Sequence, residues 1–296
     1  MVTVPKPIPP QLRATPVSAA RLVDCIGQTL VLAYREDTKS LVATLTDAGC
    51  DCTVLRQAHQ PEYQAFARSY LCLLNHRQAW EQALQSDQPT LIVEADFVPV
   101  ANFGSLPPPF DNHDAQAGAP QSGDLGIAWL YTCAPQIYNI TDQGHAQGYS
   151  TAMVAYVVTV QSARLLLALA DGIAADPGPT VYSPWDSGIE YYLRDRNLVN
   201  YVPWRNYGEH GGIPNPEHQQ NRLSPTHRAD VLYGPLAFEP AYGAAASPFK
   251  VRAYARIKGL GRLLLNKYLR WPVLASSAQP LALLKFALGR QVTLRL

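Results

Sequence analysis

No acidic residue follows Glu239, yet ten basic residues do: Lys250, Arg252, Arg256, Lys258, Arg262, Lys267, Arg270, Lys285, Arg290 and Arg295. The net charge is only +1, so everything before that point is net acidic. This excludes a uniform field that selects a partner and places a basic segment where something anionic can be met. No window approaches the roughly 20 uninterrupted apolar residues of a membrane-spanning helix, which excludes an integral helical protein. No signal-peptide pattern opens the chain, because Pro5, Pro7, Pro9 and Pro10 interrupt it and no long apolar stretch follows. The five cysteines are scattered and odd in number, and Cys50-Asp51-Cys52 is too tight for a zinc half-site. Reduced thiols and a cytoplasmic location, peripheral on the inner membrane face, are therefore expected. No internal repeat is present.

What is present is enough apolar material for a full core: 47% of the 296 residues are hydrophobic and 16% charged. Residues 1–18 read as a flexible, proline-rich arm. Thr29–Tyr34 is a short apolar run that predicts a buried strand. Asp37 or Thr38 then caps a helix through Leu41, Val42, Leu45 and Ala48, closed by Gly49. Cys52–Leu55 predicts a second strand, residues 61–86 a helix, and Thr90–Val93 a third strand. Strand, helix, strand in this order is the opening of an α/β layer fold. Strands are also expected at Gly126–Tyr131 and Thr151–Val160, with a leucine-rich helix over Ser162–Ala170. Residues 104–126 and 203–230 are long polar segments, of the kind that carry function or stay disordered.

The chemistry centres on Leu91-Ile92-Val93-Glu94-Ala95-Asp96. Carboxylates two residues apart on an extended segment point to one side, and ligands of open α/β sheets bind beyond strand C-termini. Such a pair suits Mg²⁺ or Mn²⁺, which take oxygen ligands and bridge to substrate phosphates.

The surroundings of this triplet are similar to glycosyltransferase family 25. That family has a Gly-Cys-x-x-Ser-His helix segment and a Trp, then a hydrophobic strand ending in Glu-Asp-Asp. Here Cys72-Leu73-Leu74-Asn75-His76 precedes Trp80, and the Glu94-Ala95-Asp96 strand end follows at the matching distance. Ala155-Tyr156-Val157-Val158-Thr159 and Ala163-Arg164-Leu165-Leu166-Leu167 match an Ala-Tyr-x-x-Ser segment and an Ala-x-x-Leu-Leu helix. Pro184-Trp185-Asp186 matches a Pro-x-Asp. The resemblance covers roughly residues 28–205. Leu71, Asn75 and Ala95 depart from the family's Gly, Ser and middle Asp.

The resemblance implies a GT-A-like (Rossmann-like) mixed sheet flanked by helices, placed here over 19–240, and the charge distribution sets apart a basic helical segment at 241–296. It implies a UDP-sugar donor, a Mn²⁺ or Mg²⁺ ion and inversion at the anomeric carbon, as in surface polysaccharide or lipopolysaccharide synthesis. Inversion by direct displacement needs a general base. Asp186 is the candidate, and a helix cap is its other reading, since Ile189–Leu193 looks helical. His210, in Glu209-His210-Gly211-Gly212, is a third metal ligand or a surface histidine. Arg35, Asn75 and His76 are candidates for the nucleotide, beside Glu94, and Trp185 for stacking on the sugar; a solvated surface arginine and a packing histidine are the other readings of Arg35 and His76. His218 and His227 match no zinc spacing with His210. A non-catalytic sugar-nucleotide-binding protein and a metal-dependent hydrolase are the competing classes.

From about residue 250 a helix is expected. Tyr254, Ile257, Leu260, Leu264, Leu265, Tyr268 and Trp271 fall on one side and Arg252, Arg256, Arg262, Lys267 and Arg270 mostly on the other. This predicts contact with an anionic membrane surface, where a lipid-linked glycan acceptor would lie, and no nucleic-acid binding; a helix packed on the domain with its basic face in solvent is the other reading.

Overall fold

The computed structural model describes residues 20–111, 123–212, 227–244 and 246–293. The proline-rich arm, His218 and much of the two polar segments lie outside the described residues. The first layer unit is β1 (Gln28–Ala33), α1 (Lys39–Asp47) and β2 (Cys52–Arg56), followed by α2 (Arg68–Ala83), β3 (Thr90–Glu94) and β4 (Phe97–Pro99). Asp37 accepts the Lys39 N–H at 3.0 Å to start α1, and Gly49 turns the chain out of it at φ +100°. The segment 61–86 is split: residues 61–65 form one 3-10 turn, and the α-helix begins only at Arg68. Pro61 and the extended Phe66 and Ala67 account for the break.

Next come β5 (Leu125–Trp129), β6 (Cys133–Ile140), β7 (Ala146–Thr151), β8 (Ala155–Val158), α3 (Val160–Ala175), α4 (Ile189–Arg194), β9 (Val199–Val202) and β10 (Gly208–His210). The strand expected over 151–160 is shorter, because Thr159 already caps α3. Its hydroxyl accepts the Ser162 N–H, and the Ser162 hydroxyl answers at the Thr159 N–H. The chain ends in α5 (Pro248–Leu264), α6 (Trp271–Ser276) and α7 (Pro280–Gln291).

Eight strands form one mixed sheet in the order β2-β1-β3-β8-β5-β9-β7-β6, and β4 pairs with β10 in a separate ribbon. Strands β1, β2 and β3 run parallel, and β8 is antiparallel to β3 and β5. Alternation along the central strands feeds two cores. Leu30, Leu32, Ile92, Trp129, Tyr156 and Val158 pack with α2, α3 and α4. Val31, Leu91, Val93, Ala128, Ala155 and Val157 pack with α1 and Phe97, Phe103 and Tyr207. Covering both faces explains why these strands read as unbroken apolar runs. The architecture is thus a mixed α/β sheet flanked by helices, as the sequence predicts.

The C-terminal helices join this body. Leu283, Phe286 and Ala287 of α7 lie in the first core, and Ile137 on the edge strand β6 donates to the Tyr268 carbonyl at 3.0 Å. The two sides of α5 differ as the spacing predicts, but against the reading of a packed helix with a solvated basic face the orientation is reversed. Arg252 and Arg256 are buried, while Tyr254, Ile257, Leu264 and Leu265 face out. The cause is buried acceptors elsewhere in the chain: Arg252 pairs with Glu209, and Arg256 donates to the side chain and carbonyl of Gln291.

Candidate metal and donor cavity

β3 delivers Glu94 to the sheet's C-terminal edge. The Glu94 N–H donates to the Val154 carbonyl at 2.8 Å and the Ala95 N–H to the Leu32 carbonyl at 2.8 Å, so neighbouring strands clamp the turn from both sides. β10 then comes alongside β4, with His210 opposite Phe97. This brings residue 210 to residue 96 across more than a hundred positions. The Gly211 N–H donates to the Asp96 carbonyl at 2.7 Å. A Cβ on Gly212 would lie 2.3 Å from Asp96 Oδ2, so only glycine permits this approach.

Ligand atoms of Glu94, Asp96 and His210 all lie within 4.8 Å of one another. His210 Nε2 is 2.9 Å from Asp96 Oδ2, and His210 Nδ1 is 3.3 Å from the His227 carbonyl. The imidazole has the Asp96 carboxylate at Nε2, and the His227 carbonyl together with the Arg228 guanidinium, 3.5 Å away, at Nδ1. Burial pulls its pKa down, but Asp96 and then Glu94 outweigh that and raise it to about 9. For Asp96, burial pushes up while His210 and Arg228 pull further down, and the net shift is downward. Glu209 anchors the histidine: one carboxylate oxygen accepts the His210 and Ala229 N–H groups at 2.9 and 2.8 Å, and the other takes Arg252.

Glu94 is held from behind. Trp80 Nε1 can only donate, and it gives its hydrogen to the Tyr156 hydroxyl at 2.9 Å. The Tyr156 hydrogen is then directed at His76 Nδ1, 2.8 Å away. This fixes the proton on His76 Nε2, which donates to Glu94 Oε1 at 3.1 Å. His76 is wholly buried with both nitrogens engaged, so it orients Glu94 as a packing histidine with satisfied hydrogen bonds. Tyr156 and the Trp80–Tyr156 link were not singled out from sequence as site residues.

The acids open onto a cavity of about 340 Å³ that is also lined by Arg68, Ser69, Tyr131, Trp185, Asp186 and His227. Asp186 lies in a 3-10 turn, Trp185–Gly188, so Gly188 and not Asp186 is the cap of α4. Its carboxylate accepts the Ser187 N–H at 2.9 Å and the Ala152 N–H at 3.2 Å. Ala152 has φ 91°, a strained conformation for a residue with a Cβ, held at the cavity wall. Trp185 is a wall and not a free stacking platform. Its N–H is taken by the Ser69 carbonyl at 2.9 Å, and its ring packs at right angles to Trp80 and against His76.

Asn75 lines a smaller recess on the other side of Glu94 with Tyr34, Glu36 and Ala95. Arg35 is exposed, stacks over Tyr34 at 4.8 Å and lines neither space. A second recess, of about 260 Å³, shares Thr151 and His227 with the main cavity and is lined by Tyr254, Lys258 and Arg262 of α5. There Cys133 Sγ lies 2.9 Å from His227 Nδ1. Burial raises this thiol to about 11, so it is a hydrogen-bond donor and not a nucleophile.

The donor set fits a hard or borderline divalent cation. It combines two carboxylates with one imidazole, and Asp96 Oδ1 is buried with no hydrogen-bond partner. Cys72, His76 and Glu94 are equally close together but fit poorly. Burial, then Glu94 and Asp186, push the Cys72 thiol well above its ordinary value, and the thiolate is the ligand form.

No protein-family model matches the chain, and comparison with curated sequences gives no match. Among solved structures, the fold is similar to the crystal structure of a glycosyltransferase involved in the glycosylation of the major capsid of PBCV-1. The identity is 11%, the match covers 61% of this chain and 82% of that chain, and the TM-score is 0.36.

Proposed function

We propose that the protein is an inverting glycosyltransferase that moves a hexose, of galactose or glucose type, from a UDP-sugar to a glycan or glycolipid acceptor of the surface-polysaccharide class. The observation that carries this reading is the meeting of Glu94, Asp96 and His210 at one open cavity with Asp186 on its wall. Glu94, Asp96 and neutral His210 would hold Mn²⁺ or Mg²⁺. Such an ion offsets the negative charge that gathers on the departing diphosphate.

The protein's own part is positional. The Trp80–Tyr156–His76 chain fixes Glu94, and Glu209 with Gly211 and Gly212 fixes His210 and Asp96. Asp186, aimed by the Ala152 and Ser187 N–H groups, takes the acceptor hydroxyl proton. The acceptor oxygen then forms its bond to the anomeric carbon as the bond to the diphosphate breaks.

Incubation with Mn²⁺, a panel of UDP-sugars and oligosaccharide acceptors tests this. UDP release coupled to acceptor transfer is expected, with Asp186→Asn keeping metal-dependent donor binding and losing about a hundredfold or more in turnover. Donor binding without any transfer, or rapid donor hydrolysis indifferent to acceptor, contradicts the reading.

A further inference from the structure

Ten of the twelve large apolar side chains exposed among the described residues fall between Phe249 and Val292. On α5 and the start of α6 they are Phe249, Tyr254, Ile257, Leu264, Leu265 and Trp271, each 67% exposed or more. On α7 they are Leu281, Leu284, Leu288 and Val292, spaced as one helical stripe opposite the buried Leu283, Phe286 and Ala287. A concentration of exposed large apolar side chains in one segment marks an interaction site more often than a bare surface.

The charges of the same segment divide by burial. Arg252, Arg256 and Arg290 are inside, held by Glu209, Gln291 and Asp230. Lys250, Lys258, Lys267, Arg270 and Lys285 are outside, and the segment contains no acid. A second copy placed on this face would set these cations against one another with no carboxylate of the segment to offset them. An anionic bilayer matches both components, the apolar side chains entering the acyl boundary and the cations meeting headgroups. No helix among the described residues is long and apolar enough to cross a membrane.

We propose that α5, α6 and α7 form a docking face for an anionic lipid bilayer. Tyr254 and Lys258 on α5 also line the recess that shares Thr151 and His227 with the main cavity. The segment that would meet the bilayer therefore also borders a recess adjoining the main cavity. The docking face stands independently of the transfer chemistry.

Sedimentation of the full chain with vesicles of phosphatidylcholine alone, or of equimolar phosphatidylcholine and phosphatidylglycerol, tests it. Binding to the anionic vesicles at low salt is expected, weakening as salt rises. Ile257→Glu with Leu264→Glu, both on the solvent side, should keep the circular dichroism spectrum and metal-dependent UDP binding while partitioning falls about tenfold or more. Lys258→Glu with Lys267→Glu should lower partitioning onto anionic vesicles at low salt. Wild-type protein that stays in the supernatant at low salt overturns the proposal. So does a stable dimer by light scattering that Ile257→Glu with Leu264→Glu dissolves, without vesicle binding.

Discussion

At the scale of single residues, the acid pair was legible because strand periodicity is local: positions 94 and 96 must share a side if the segment is extended. What holds Glu94 in place was not. Tyr156 lies 80 positions from His76 and 76 from Trp80, and no local pattern encodes a contact between α2 and β8. The account makes Tyr156 the turning point of that chain of hydrogen bonds. Tyr156→Phe removes the hydrogen that sets the His76 tautomer, so the imidazole no longer has to present Nε2–H to Glu94. Mn²⁺ affinity, read by paramagnetic resonance of the free ion, is expected to fall roughly ten- to hundredfold with the fold retained. An unchanged affinity would show that Glu94 needs no such support.

At the scale of elements, β1, α1, β2 and β3 were readable because apolar runs and cap residues coincide. The β6–β7 hairpin was missed although its signals exist. Burial alternates along much of both strands, and Gly144 at φ +88° turns the chain between them. The helix α5 is legible, but the burial of Arg252 and Arg256 on it is not. Helical periodicity shows that two faces differ, and only the rest of the chain shows which is inside. Arg252 enters because Glu209 is buried beside His210, which ties the C-terminal helix to the metal cavity. Breaking a buried pair from one side leaves an uncompensated charge, so Arg252→Ala should cost about 3–5 kcal/mol of stability. Urea denaturation measures this, and a loss below about 1 kcal/mol, the scale of a surface pair, would contradict it.

At the scale of the whole molecule, the basic segment that composition set apart is welded to the sheet through Asp230. That carboxylate takes Arg290, the Gln291 amide at 2.6 Å and the Asn206 amide at 3.0 Å, and Asn206 accepts the Thr132 N–H at 2.7 Å. Burial pushes the Asp230 carboxyl up, but Arg290 and Gln291 outweigh it and bring it down to about 2. A folded value below the unfolded one means that the unfolded chain binds more protons between them. The stabilisation is therefore complete above pH ~4 and lost as pH falls toward ~2, on the order of 2 kcal/mol. Denaturation at pH 5 and pH 2 should show a smaller acid loss in Asp230→Asn than in the wild type. An equal loss in both would remove Asp230 from the account.

The central claim is that Glu94, Asp96 and His210 grip one divalent cation at a nucleotide diphosphate. Crystals grown with Mn²⁺ and UDP, measured for anomalous scattering, test it most directly. A single manganese peak bonded to all three side chains and to diphosphate oxygens in the main cavity is expected. UDP bound elsewhere, or bound in the cavity with no manganese between these three residues, would contradict it.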